Sequence, residues 1–410
     1  MATNNNDKTL NVPHLRFPEF TAEWEKYKLS EVCSFFSGGT PSSLKKEYYD
    51  GNIPFIRSGE LHDDQTELFI TEDGLKNSAA KMVEVGDLLL ALYGATSGDI
   101  AISKINGAIN QAILCIRTVQ SKKFIESIWY KHAGKLLQTY LQGGQGNLSA
   151  DIVKNISFYF ATIEEQKKLA KFISLLDERI STQNKIIEDL KKLRSAIVDK
   201  LFCLPNELVP QMRLHGFTGN WIQVRLSDVC QRIRTKNINT QCQLVLTIAA
   251  QYGLVSQEDF FNKSIASDNL EGYYLIEKDD FAYNKSYSTD YPWGAVKRLE
   301  LYSQGVLSPL YICFRPNTDI IVPDYLSHYF ESKKWHKGIA DIAGEGARNH
   351  GLLNLSVVDF FNTTHRIPNM PEQKVIADIL NKLTFKYDLE QKLHKNLLKQ
   401  RKYLLQQIFI

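Results

Sequence analysis

The 410-residue chain is most informative first in what it lacks. No uncharged apolar run approaches the roughly eighteen residues that a membrane-spanning helix needs. Residues 1–11 are polar and Asn-rich with no apolar core, so they are not expected to act as a secretory signal. The six cysteines include no Cys-x-x-Cys pair. That argues against a zinc site or a disulfide frame and for reduced core thiols in a cytoplasmic protein. There is no phosphate-loop motif, since Gly134-Lys135 is followed by Leu136. Gly-x-Ser-x-Gly, His-Glu-x-x-His and an Asn-Pro-Pro-Tyr-type adenine-methylation motif are missing too. Pro323-Asp324 with Glu331-Ser332-Lys333 imitates a nuclease acid pair and lysine, but Tyr325, Leu326, Tyr329 and Phe330 between them read as a helix face. The net charge of +3 neither demands nor excludes a polyanionic partner.

What is present is a duplication. Arg16, Phe20-Thr21, Trp24 and Lys28-Leu29-Ser30-Glu31-Val32-Cys33 return 197 positions later as Arg213, Phe217-Thr218, Trp221 and Arg225-Leu226-Ser227-Asp228-Val229-Cys230. Gly107 to Arg117 returns as Gly305 to Arg315, which superposes Cys115 on Cys313. Asn147-Leu148-Ser149 and Glu165-Gln166-Lys167 return at an offset of 207 as Asn354-Leu355-Ser356 and Glu372-Gln373-Lys374. So many matches in order make the halves one repeated unit.

Each unit has a globular part and a helical part. Residues 12–160 and 210–366 hold short apolar runs between frequent turns and read as mixed α/β domains. Residues 161–203 and 367–410 read as long helices, each opened by a capping pair, Thr162 with Glu165 and Asn369 with Glu372. A seam spaced by threes and fours follows: Ile173, Leu176, Ile180, Gln183, Ile187, Leu190, Arg194, Ile197 and Leu201. Its repeat is Leu380, Leu383, Tyr387, Glu390, His394, Leu397, Arg401, Leu404 and Ile408. Such spacing over four heptads marks a coiled coil. Two unrelated amphipathic helices would also carry apolar stripes, but equal length and shared polar interruptions argue against them.

The seam also predicts direction. Parallel pairing sets Arg194 level with Arg401, and buried like charges are costly. Antiparallel pairing about Ile187–His394 separates them. Leu201 then meets Leu380, Ile197 meets Leu383, Ile173 meets Ile408 and Leu176 meets Leu404. Arg194 lies over Tyr387, one layer from Glu390, and Arg401 one layer from Gln183. The expected fold is α+β: two similar domains separated by an antiparallel coiled coil, with pseudo-twofold symmetry.

Neither globular part is basic, so composition alone does not point to DNA. Each does carry turns that combine amides, hydroxyls, cations and aromatics. In the first part the candidates are Ser37, Thr40, Ser42, Tyr93, Thr96, Gln145 and Asn147. In the second they are Arg234, Lys236, Asn284, Lys285, Tyr287, Arg348, Asn349 and His350. Arg and Lys suit guanine edges, Asn and Gln suit adenine edges, and glycine-rich backbone can approach phosphates. Any one of these turns could equally be ordinary surface.

Several stretches resemble one family. They are Leu29-Ser30-Glu31-Val32, Ser37-Gly38-Gly39-Thr40-Pro41, Val85-Gly86-Asp87-Leu88-Leu89, Gly144 to Ser149, and Glu164-Glu165-Gln166-Lys167-Lys168-Leu169-Ala170. In the second half they are Asp279-Asp280-Phe281, Gly346 to Gly351 and Pro371 to Ala377. With the duplicated domain–helix order, the chain resembles the DNA-specificity subunits of type I restriction–modification systems from about residue 15 onward. Ala161-Thr162-Ile163, where the family usually has prolines, and Asn349-His350 depart from its pattern. The resemblance implies a non-catalytic subunit whose target-recognition domains each read half of a bipartite double-stranded DNA site, while the helices set the spacing. It implies docking of two methyltransferase and two motor-nuclease subunits, with S-adenosylmethionine, ATP and Mg²⁺ on those partners and no cofactor in this chain.

Overall fold

The computed structural model describes residues 10–141, 148–249, 252–262, 269–286, 288, 291–343 and 353–410. The chain divides into two compact units, residues 1–184 with 392–410, and residues 185–391. Both divisions fall inside the long helices, so each unit contains one globular part and a segment of each helix.

In the first unit, strand β1 (Glu25–Lys28), helix α1 (Leu29–Val32) and strand β2 (Cys33–Ser37) form the entry. Strands β3 (Tyr49–Ile56) and β4 (Phe69–Ile70), helix α2 (Glu72–Lys76), and strands β5 (Lys81–Val83), β6 (Leu88–Ala91), β7 (Ile100–Ile102), β8 (Gly107–Ile109) and β9 (Ile113–Thr118) follow. Helices α3 (Lys122–Leu141) and α4 (Ala150–Asn155) and strand β10 (Ser157–Phe160) lead into helix α5 (Ile163–Leu201). Strands β2-β9-β6-β7 make an antiparallel sheet, β4-β3-β8-β5 a second sheet with β3 parallel to β8, and β1 pairs with β10.

The apolar run Leu88-Leu89-Leu90-Ala91 is buried at every position because its sheet is covered on both faces. Leu88 and Leu90 join Phe124, Ile128 and Trp129 of α3, Ile173 of α5, and Ile408 and Phe409. Leu89 and Ala91 meet Ile56, Val83 and Ile109 of the second sheet.

The second unit repeats the order with β11 (Ile222–Arg225), α6 (Leu226–Val229), β12 (Cys230–Arg232), β13 (Leu246–Ala249), β14 (Gly253–Ser256), α7 (Gln257–Phe261), β15 (Tyr274–Glu277), β16 (Phe281–Asn284), β17 (Ala295–Arg298), β18 (Gln304–Leu307) and β19 (Ile312–Pro316). It continues with α8 (Pro323–Glu331), α9 (His336–Ile342), α10 (Val357–Asn362), β20 (Thr364–Ile367) and α11 (Met370–Ile408). Strands β12-β19-β16-β17 reproduce the first unit's main sheet, and β11 pairs with β20 as β1 does with β10. The second sheet is not reproduced; pairs β13–β14 and β15–β18 stand in its place.

The fold is therefore α+β, and helices α5 and α11 have 39 residues each. Every seam position is buried or half-buried, including Leu176, Ile180, Ile187, Leu190, Leu397 and Leu404. Within the first unit Asp177 bonds Arg401, and Ile173 shares a core with Leu405 and Ile408. Within the second Arg194 bonds Thr384, and Val198 and Leu201 share a core with Ile376 and Leu380. Early residues of one helix meet late residues of the other in each unit, which is antiparallel packing.

The expected partners of the seam arginines need correction. Arg194 binds Thr384 and Glu331 of α8, not the Tyr387 and Glu390 layers. Glu390 pairs with Lys386 one turn away. Arg401 pairs with Asp177 at 2.5 Å and lies over the Tyr130 ring, away from the Gln183 layer. A guanidinium reaches past the seam to a carboxylate beside it, because a full counter-charge outweighs an amide or a ring. The capping boxes need a similar correction. Thr162 and Asn369 accept the backbone N–H of Glu165 and Glu372 at 3.4 and 3.0 Å. The reciprocal half does not form, because both carboxylates are bound elsewhere.

Candidate nucleic-acid interface

The residues that repeat in the sequence fasten each globular part to its long helix. Glu165, fully buried, accepts two bonds from Arg16 at 2.8 and 2.7 Å and one from the Trp24 indole at 3.3 Å. Glu372 receives Arg213 at 3.0 and 2.9 Å and Trp221 at 3.3 Å. The neighbouring amides Gln166 and Gln373 accept the backbone N–H of Ser121 and Val322, just before α3 and α8. Asp87, held by Arg117 at 2.8 Å, is matched by Asp280, held by Arg315 at 2.6 Å. Burial opposes ionisation of Asp87, but hydrogen bonds from Arg117, the Glu84 N–H and Lys122 together outweigh it and keep its carboxyl below the usual range.

These fasteners sit at the end of the main sheet where β2 begins, Cys33 opposite Thr118. The candidate loops lie at the other end. There Ser37 opposes Leu114 and Ala91 opposes Ile113. The Thr40 hydroxyl donates to the Gln111 amide oxygen Oε1 at 2.6 Å, and Leu92 N–H donates to the Ala112 carbonyl at 2.7 Å. Residues 110–112 thus join the turn holding Thr40 and Ser42 to the turn holding Tyr93 and Thr96. Thr40, Ser42 and Tyr93 are exposed, while Ser37 and Thr96 are half-buried. Gln145 and Asn147 lie outside the described residues, but Leu148 beside them is tied to the Leu92 carbonyl at 2.9 Å. Gly38 is required by packing: an added Cβ would lie 1.8 Å from the Ile109 carbonyl oxygen. Gln111 was not among the sequence candidates; its only signal is the amide pair Asn110-Gln111 in a turn.

The equivalent end of the second unit carries the other candidates. Arg234 is exposed and, among the described residues, makes no hydrogen bond or ion pair. Lys236 is engaged: its ammonium donates to the Gly272 carbonyl at 2.6 Å and lies 3.9 Å from the Tyr274 ring centre. Lys285 donates to the Leu355 carbonyl at 3.3 Å, and its own carbonyl accepts Leu353 N–H at 2.9 Å. Half-buried Asn284 caps the turn by accepting Ser286 N–H at 3.0 Å. Tyr287, Arg348, Asn349 and His350 lie outside the described residues. The nuclease look-alike is a helix, as its pattern suggests: Asp324 is paired with Arg298 at 2.5 Å and Glu331 with Arg194. Among the described residues no group of three or more His, Cys, Asp or Glu is placed to hold a metal ion. No described helix is long and apolar enough to cross a membrane.

Residues 21–192, which contain the first sheet, its loops and most of α5, match the type I restriction modification DNA specificity domain. Over those residues the chain resembles this family's domain. The second half repeats the specificity domain's frame through β11, β20, the main sheet and the Arg213–Glu372–Trp221 fastener. Among named relatives, the type I restriction enzyme MjaVIII specificity subunit of Methanocaldococcus jannaschii is 27% identical over 223 residues, 52% of this chain and 50% of that protein. The EcoR124I/EcoR124II specificity subunit of Escherichia coli is 25% identical over 189 residues, 43% and 46% of the two chains. The chain therefore spans about half the length of the curated relatives it matches. The fold is shared with the crystal structure of a type I restriction–modification S subunit from M. genitalium, at TM-score 0.59 and 17% identity over 97% of this chain and 99% of that one. A chain from a structure describing complex assembly and conformational transition of the type I system aligns at TM-score 0.57 and 15% identity, covering 94% and 97%.

Proposed function

We propose that the chain is the sequence-specificity subunit of a type I restriction–modification complex, with each globular unit reading one half of a bipartite double-stranded DNA site. One observation carries this reading. A repeated sheet-and-fastener frame presents loops that do not repeat, at the same end of each main sheet. Two readers on one repeated frame, with different loops to offer a base edge, suit two different half-sites. The long helices set the unread gap and, with the domains, dock two methyltransferase subunits. Two motor-nuclease subunits join them. The chain performs no chemistry itself; S-adenosylmethionine, ATP and Mg²⁺ act on the partners, in the cytoplasm where the DNA is. Replacing residues 210–366 with the matching domain of a relative tests this. Methylome sequencing should then show one half-site changed and the other intact; both changing together would refute two independent readers.

A further inference from the structure

We infer that Arg234 fixes a G·C pair in the half-site read by the second unit, an assignment that rests on the proposed function. Four cations come near the loop end of the second main sheet on described residues, and two are committed to the protein. Lys236 is clamped between the Gly272 carbonyl and the Tyr274 ring, and Lys285 is bonded to the Leu355 carbonyl. Arg232, two residues before Arg234, is half-buried within β12 opposite Phe314. Arg234 alone extends an exposed guanidinium with no carboxylate or carbonyl bound to it among the described residues.

Its backbone is held on both sides. Ile233 N–H donates to the Cys313 carbonyl at 2.9 Å, the Thr235 carbonyl accepts Leu275 N–H at 3.0 Å, and Asn237 N–H donates to the Tyr273 carbonyl at 3.1 Å. The backbone that carries this arginine is thus fixed, and its planar fork matches guanine O6 and N7, the commonest specific contact in the major groove. A phosphate contact would carry no sequence information, and the test separates it from a base contact. At the same place in the first unit, 197 positions earlier, the chain has Ser37, with no cation. The two half-sites should thus be read by different chemistry.

The test uses the full chain with its methyltransferase partners and compares methylomes of wild type, Arg234→Ala and Arg234→Lys. One G·C position of the second half-site should relax in both variants, with methylation of the original sites down roughly ten- to a hundredfold in the alanine variant. The lysine variant keeps the charge but loses the fork, and an unchanged thermal midpoint shows that it folds. Unaltered motifs, or a uniform loss of methylation with no position relaxed, would overturn the assignment while leaving bipartite reading intact. Relaxation within the half-site that the domain replacement assigns to the first unit would instead sink the proposed function.

Discussion

Arg16 and Glu165, 149 residues apart, meet in a two-point ion pair closed by the Trp24 indole. The second unit makes the same contact with Arg213, Glu372 and Trp221. Only 1% of each glutamate side chain is exposed, so removing the carboxylate strands an arginine and an indole N–H in the interior. Glu165→Ala should cost roughly 3–5 kcal/mol of the first unit's stability. Urea unfolding would show it, and a loss below about 1 kcal/mol would mean the pair is dispensable.

Glu331 supplies a pH prediction. Burial raises its pKa, but His328 beside it and the charges of Arg194 and Lys297 hold it at about 2. A carboxylate whose folded pKa is depressed adds stability above its unfolded pKa and loses it as pH falls through the folded value. The second unit should therefore weaken from about pH 5 downward. Glu331→Gln should be less stable at neutral pH and flatter across that window. Parallel pH curves for the two proteins would exclude Glu331 as the source.

The helices offer a third. Seven residues inserted after Asn184 and again after Gln391 preserve the heptad phase and leave both cores untouched. Seven residues add about 10 Å of helix, or about three base pairs. The unread gap should lengthen by that amount while the specified bases stay the same. An unchanged gap would remove the helices from the role of ruler.

Much of this architecture was legible in the sequence because it is local or repeated. Helices starting at Ile163 and Met370 and ending at Leu201 and Ile408 keep the offset of 207 at both ends. The seam follows from spacing alone. What was not legible depends on partners distant in sequence. Nothing near Arg194 announces Glu331, 137 residues away, and nothing near Arg401 announces Asp177, 224 away. The same limit applies to the candidate loops. Lys236 and Lys285 look like Arg234 in sequence, and only the fold shows carbonyls and a ring occupying them. Repetition was the better guide to structure: Glu165, Arg16 and Trp24 recur because they hold the frame. The loops that face outward vary between the halves, so repetition could not point to them.

Methylated adenines mapped across the genome of a host carrying this chain with its partners test the central claim most directly. Two independent readers on one chain predict a motif of two specified blocks separated by a fixed run of unspecified bases. A single contiguous motif, modified with the same dependence on this chain, would contradict that account.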